Sequence, residues 1–261
     1  MRPVVAAAVR LRTRVPLPVG RATVVLGWHR VDVAGGRLAV PPDLFARQMA
    51  LLAEHRAQSP VVTVEDAAAA QAQEGGRHVV LTFDDAWADN HTHALGPLNE
   101  HHLPATLYVP SRLLGKPGYM TQTQMLEMAA SGVTIGAHSR THADLPACTP
   151  QELEYEVRGS RDDLEDMLGE PVTSFAYPFG RTSDAVVASV AAAGFACAVT
   201  SRPGWWRPAT HPLRIPRAFV EDFSEETFVA AIRGGLSVLR LLDEVKSHSP
   251  GRLRQPPCSQ P

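Results

Sequence analysis

Eight apolar, partly β-branched runs are spaced along this chain with helix-like segments between them, and this alternation restricts the fold more than any other feature. The runs cover residues 22–28, 60–64, 78–83, 105–109, 133–137, 172–176, 195–199 and 213–220. They are continuous, as expected of strands buried on both faces of a parallel sheet. Roughly seven β-α units with no composition break point to one domain, either a doubly wound sheet or a barrel. The polar motifs decide between them. They sit at the exits of several different strands, where a barrel gathers its chemistry.

Helix boundaries are well signalled. Thr149-Pro150-Gln151-Glu152 supplies a threonine cap, proline at the first helical position and glutamate at the third, opening a helix to about Leu168 with Gly169 behind it. Thr121 and Gln124 form a second capping box. Asp43 is expected to cap a helix over 44–55, with Phe45, Met49 and Leu52 on one apolar face. Gly194 should stop the alanine-rich helix that starts near Ser183. A last helix, roughly 224–246, is weakened by Gly234-Gly235. Residues 1–20 read as an arm and 247–261 as a disordered tail, which leaves 21–246 as a single barrel domain.

Composition excludes several classes. With 44% hydrophobic and 20% charged residues over 261 positions, the chain has enough apolar material for a full core. A net charge of -2 argues against nucleic acid or an anionic membrane as partner. Cys148, Cys197 and Cys258 are too few and too far apart for a disulfide framework or a cysteine zinc site. The apolar stretch at 4–9 is shorter than the roughly 7–15 residues of a secretory core, and no run approaches the roughly 18 of a membrane span. The expectation is a cytoplasmic protein.

Three strand exits carry the chemistry. Thr82-Phe83-Asp84-Asp85 ends one apolar run. Adjacent side chains on extended backbone point to opposite sides, so the two aspartates can do different jobs if the chain turns there. One can bind a cation while the other accepts a proton; a helix cap with a solvated neighbour would use the same pair. His138 and His142 follow another run; their spacing can offer two imidazoles to one ion, though surface or core histidines would show the same spacing. Joined with Asp85 they make a two-histidine, one-carboxylate set with open coordination positions. Tyr177-Pro178-Phe179-Gly180 ends a third run, in a turn that either aims a backbone N–H into a pocket or is a simple β-turn. Trp205 and Trp206 are read either as a sugar-stacking platform, with Tyr177 as a further substrate contact, or as a lid on the core. His29 ends the first run and is read either as a candidate site residue or as a satisfied structural histidine. His91, His93, His101 and His102 read as surface residues.

In combination these segments resemble the polysaccharide deacetylase family (NodB-homology, carbohydrate esterase family 4). The likeness runs from about Trp28 to Phe219 and includes Thr-Phe-Asp-Asp, Pro104-Ala105-Thr106, His-Ser-x-x-His and Phe175-Ala176-Tyr177-Pro178-Phe179-Gly180. Trp28-His29-Arg30-Val31 is similar to the opening of the branch acting on poly-N-acetylglucosamine. The resemblance implies a distorted (β/α)7 barrel and metal-dependent removal of acetyl from a carbohydrate. Asp84 would be the general base. Asp85, His138 and His142 would hold a divalent ion, Zn2+ with Co2+ or Ni2+ as alternatives, and Phe179 would offer its amide to the oxyanion.

Two departures stand out. No histidine follows Leu213 where many relatives place their general acid, so His29, His211 or protonated Asp84 must serve. Ala176 stands where many relatives have an arginine, for which Arg217 is the candidate replacement. The Asp-Asp-Gly of the family is Asp84-Asp85-Ala86 here. Two competing readings are a non-catalytic carbohydrate-binding barrel and a non-haem iron oxygenase built on the same facial triad.

Overall fold

The computed structural model describes residues 22–35, 38–73, 77–220 and 223–235. The expected arm, the tail and residues 236–246 of the expected last helix fall outside these residues. The elements are β1 (Val24–Trp28), β2 (Arg30–Val31), β3 (Ala39–Val40), α1 (Pro42–Glu54), β4 (Val61–Val62), α2 (Val64–Gln73), β5 (Val79–Phe83), α3 (Leu95–Glu100), β6 (Ala105–Val109), α4 (Gln122–Ala130), β7 (Val133–Ala137), α5 (Pro150–Leu168), β8 (Ser174–Ala176), α6 (Asp184–Ala192), β9 (Cys197–Val199), β10 (Ala218–Phe219) and α7 (Glu225–Ala230). Seven strands follow one another in the parallel order β10-β1-β5-β6-β7-β8-β9, while β4 pairs only with the start of β5.

The two edges of that sheet meet through one segment. Its first half bonds to β9, with Ile215 N donating to Ala198 O (2.9 Å) and Thr200 N donating to Ile215 O (2.8 Å). Its second half, β10, pairs with β1 at Leu26↔Ala218 and Gly27↔Phe219. Pro216 lies between and has no N–H to give either neighbour, so the ladder breaks there and the barrel is distorted.

Closure separates two buried faces along each strand. Val24, Leu26 and Trp28 of β1 and Leu81 and Phe83 of β5 join the large outer core, covered by helices. Val25, Val80, Tyr108, Ala176, Cys197, Val199 and Ile215 form a second cluster, which is the lumen. The period of two is that of any strand. It leaves little trace in the sequence because both faces are apolar. Gly136 is required inside: a Cβ there would stand 2.5 Å from the Tyr108 ring.

Both capping boxes form, at Thr121 with Gln124 and at Thr149 with Glu152, and Gly169 ends α5 with φ 73°. Ser183 caps α6, and Gly194 follows it at φ 88°. Asp43 is a correction. The cap of α1 is Pro41, with Pro42 at the first position, and Asp43 lies inside the first turn. There its charge opposes the positive end of the helix dipole without capping. His91 and His93 occupy a π-type turn before α3, whereas His101 and His102 lie just past its end. Among the described residues Cys148 and Cys197 are free thiols, and burial pushes that of Cys197 up to about 12.

Candidate active site

Asp84 prolongs β5 by one residue, its amide donating to Trp28 O at 3.0 Å. It keeps the lumen parity of Val80 and Thr82, so its side chain is buried inside the barrel mouth. Asp85 then takes φ 74° and Ala86 φ 55°. Two successive left-handed residues fold the chain back and send the second carboxylate away from the first. Alanine occupies the position at which a glycine would be unstrained, and it does so buried.

Inside the mouth, Arg217 clamps Asp84 with two parallel bonds, Nη1 to Oδ1 and Nη2 to Oδ2, both 2.6 Å. Nη1 also donates to Thr82 Oγ1 at 3.1 Å, and the Thr82 hydroxyl donates to Leu26 O. Bidentate charge-assisted pairing of this kind fixes both partners. Burial is the largest influence and would raise the Asp84 pKa, but the charge and hydrogen bonds of Arg217, together with the nearby His138 and His29, hold the carboxyl below its usual range. Arg217 thus orients Asp84 from the segment that closes the barrel, while Ala176 lines the lumen.

Asp85 Oδ1 lies 3.5 Å from His138 Nε2 and 3.3 Å from His142 Nε2, and the three donor atoms fall within 4.8 Å of one another. Ligands at about 2.0–2.2 Å around a tetrahedral ion stand about 3.3–3.6 Å apart, so the set fits a divalent cation. The outer contacts fit too. His138 Nδ1 is 2.7 Å from Ala176 O, which turns Nε2 inward, and Trp87 Nε1 donates to Asp85 Oδ2 at 3.1 Å, while Oδ1 faces the two imidazoles. Burial, then the neighbouring His138, lowers His142 to about 4, so this ring is neutral and able to ligate at neutral pH. Burial pushes Asp85 up, but the hydrogen bond and charge of His138, with His142, hold it well below the carboxylate range.

His29 Nε2 stands 4.0 Å from Asp84 Oδ2, and its ring stacks on Phe219 at 4.5 Å. On the other side, the ring of Phe179 meets that of His142 edge-on at 4.5 Å and is 59% exposed. Phe179 has φ 58°; the turn's own bonds come from the amides of Gly180 and Arg181, so the Phe179 N–H stays outside them. Trp87 stacks on Tyr119 at 4.5 Å, and the Arg30 guanidinium lies 5.1 Å from its ring. Trp87 and Tyr119 were not singled out from the sequence. The available signal was a tryptophan two residues after the aspartate pair.

Three expected substrate contacts are corrected. Tyr177 is fully buried on the outer face, with its ring on Phe175 and its hydroxyl donating to Leu213 O at 2.9 Å. Trp206 is buried and bridges Thr23, at the amino end of β1, opposite the site. Trp205 adjoins it and packs on the outer core. The lid reading of this pair is the one the structure matches. His211 is equally remote. It is exposed, and its Nδ1 accepts from the Leu213 amide.

Fold and site together define a parallel β/α barrel with a two-histidine, one-carboxylate centre and an unligated carboxylate beside it. A family model described as polysaccharide deacetylase matches residues 71–198. YxkH of Bacillus subtilis (strain 168) is 28% identical over 183 residues, 69% of this chain and 64% of YxkH, so the chain spans just under two thirds of that relative. The chitooligosaccharide deacetylase of Bradyrhizobium sp. (strain ANU 289) is 31% identical over 174 residues, 63% of this chain and 70% of that one. The deacetylase PplD of Streptococcus pyogenes, solved in complex with acetate, matches with a TM-score of 0.75 at 26% identity, covering 81% of this chain and 98% of its own. The chain belongs to the polysaccharide deacetylase family.

Proposed function

We propose that this protein is a metal-dependent deacetylase that hydrolyses the acetamide of an N-acetylated amino sugar. The observation that carries this reading is the meeting of Asp85, His138 and His142 around one point, with Asp84 unligated and clamped alongside. A bound divalent ion, Zn2+ by preference and Co2+ or Ni2+ as alternatives, would supply Lewis acidity toward water and the acyl oxygen.

The chain's own groups supply the rest. Asp84 is held ionised and fixed in direction by Arg217, so it accepts the proton of the attacking water. The Phe179 amide, presented by a strained turn against His142, donates to the oxyanion of the tetrahedral intermediate. His29 is the general acid toward the leaving amine, since it borders Asp84 while His211 lies at the other end. Trp87 with Tyr119 and the exposed Phe179 place aromatic surface on both sides of the centre, which suits the apolar faces of a sugar ring. The chitooligosaccharide activity named for the Bradyrhizobium relative supports the same substrate class.

Acetate release from N-acetylated mono-, oligo- and polysaccharides tests the reading. The expected result is release that Asp84→Asn lowers by about 10²–10⁴-fold. Full turnover by Asp84→Asn, or no release from any substrate by the zinc-loaded protein, would overturn it.

A further inference from the structure

The loop bearing His138 and His142 is fastened from outside the barrel by one face of α5. Glu156, buried at 6% exposure, takes three hydrogen bonds from it. Oε2 accepts the amides of Arg140 and Thr141, each at 2.9 Å, and Oε1 accepts the Thr141 hydroxyl at 2.7 Å. Asp163, two turns further on, accepts from Arg140 Nε (2.9 Å) and Nη2 (2.8 Å). The same carboxylate takes the Ser111 hydroxyl (2.8 Å) and Arg112 (3.1 Å) from the loop after β6. Between the two acids lies Gly159, where a Cβ would come within 2.4 Å of the Arg140 guanidinium carbon. Glycine in a helix interior costs about 1 kcal/mol relative to alanine, a cost that keeps this groove open.

What the face restrains is strained. Ser139 and His142 have φ of 61° and 60°, conformations that cost a non-glycine residue about 1–2 kcal/mol each. Such geometry persists only where surrounding contacts over-determine it. The Glu156 bonds fall on residues 140 and 141, between the two left-handed positions. Three donors converge on its two oxygens, each of which accepts.

We propose that Glu156 is a positioning residue for the metal centre. By holding the amides of Arg140 and Thr141 it sets the left-handed bend that brings His142 Nε2 to Asp85, while Asp163 and Gly159 secure the same loop through Arg140. This rests on the reading of Asp85, His138 and His142 as a metal-binding set. Glutamine at 156 can keep one oxygen on the two amides and turn its NH2 to the Thr141 hydroxyl, which can also accept. Alanine keeps nothing.

The test is the equilibrium affinity of the full chain for Zn2+, by competition with a chromophoric chelator, with thermal unfolding measured in parallel. Glu156→Ala should bind about 10–100-fold more weakly, and Glu156→Gln should recover most of the loss. Thr141→Val, which removes only the Oε1 contact on an exposed residue, should weaken binding by a smaller factor and serves if Glu156→Ala does not fold. Unchanged affinity in both Glu156→Ala and Thr141→Val, with only a lowered unfolding midpoint, would overturn the proposal. His142→Ala separates the two readings. If that variant binds as tightly as the wild type, or the wild type binds no zinc, the metal set itself fails and takes the proposal with it.

Discussion

At the carboxyl end of the barrel, Asp85, Ala86, Ser139, His142 and Phe179 all hold left-handed backbone, and a buried arginine is paired with a buried aspartate. At the amino end, Trp206, Val64 and Ala67 close the lumen with apolar side chains, joined by a neutral bond from Gln71 Nε2 to Thr23 Oγ1 (2.9 Å). Both ends belong to the same strands. The first end spends stability on geometry, with five of the seven positive-φ non-glycine residues among those described. The second end supplies stability and touches no reacting group. Strain gathered at one end of a scaffold packed at the other is what a preorganised site requires.

Arg217→Ala is the most severe challenge to this division, because it leaves the Asp84 charge buried and unpaired, at a cost of about 3–5 kcal/mol. It should also move the acid limb of the pH–rate profile upward. With Arg217 present, the folded pKa of Asp84 is depressed. The stability this contributes is present above the ordinary carboxylate value of about 3.9 and is lost as pH falls through the lower folded value. An unmoved acid limb would show that the clamp does not govern Asp84. Trp206→Ala should cost a similar amount, about 3–5 kcal/mol in denaturant unfolding, yet leave kcat/KM per folded molecule unchanged. A fall in kcat/KM at a matched folded fraction would join the two ends that the structure keeps apart.

His29→Asn sharpens the picture within the site. Loss of the acid should lower kcat by about 10²-fold with little change in the unfolding midpoint, whereas His211→Asn should change neither. Equal effects of the two would remove His29 from its role. The smallest effect is expected at the α5 cap, where Thr149→Ala should cost about 1 kcal/mol in unfolding free energy and nothing in zinc affinity.

Legibility in the sequence followed the range of the forces involved. β6 and β7 match their apolar runs residue for residue, because loop-forming or polar residues bound each run. Both capping boxes were readable, since a cap is a contact over three residues. Asp43 misled because a good capping residue stood one place inside a start that Pro41-Pro42 had already set. Tyr177 misled, and Trp206 stayed open between two readings, for another reason. An aromatic in a loop or at a strand end has no local mark of the side it faces, and here Tyr177 packs outward while Trp206 is taken up by the bridge to Thr23. The replacement of the arginine missing at Ala176 was guessable as Arg217, but the clamp joins residues 133 apart and depends on β10 lying beside β1. Glu156 gave no signal. It is one acid among several on a polar helix until the loop is laid against it.

By itself the sequence determined the parallel α/β architecture, the ends of α5 and α6, and the order in which two aspartates, two histidines and a rigid turn leave their strands. These are set by contacts within a few residues, or by a side-chain pattern the backbone must obey. Only the closed barrel decided which carboxylate faces the lumen, which guanidinium meets it, which histidine borders it and which tryptophans lie at the far end. Those outcomes depend on strands brought together across more than a hundred residues, and on a parity that two apolar faces conceal.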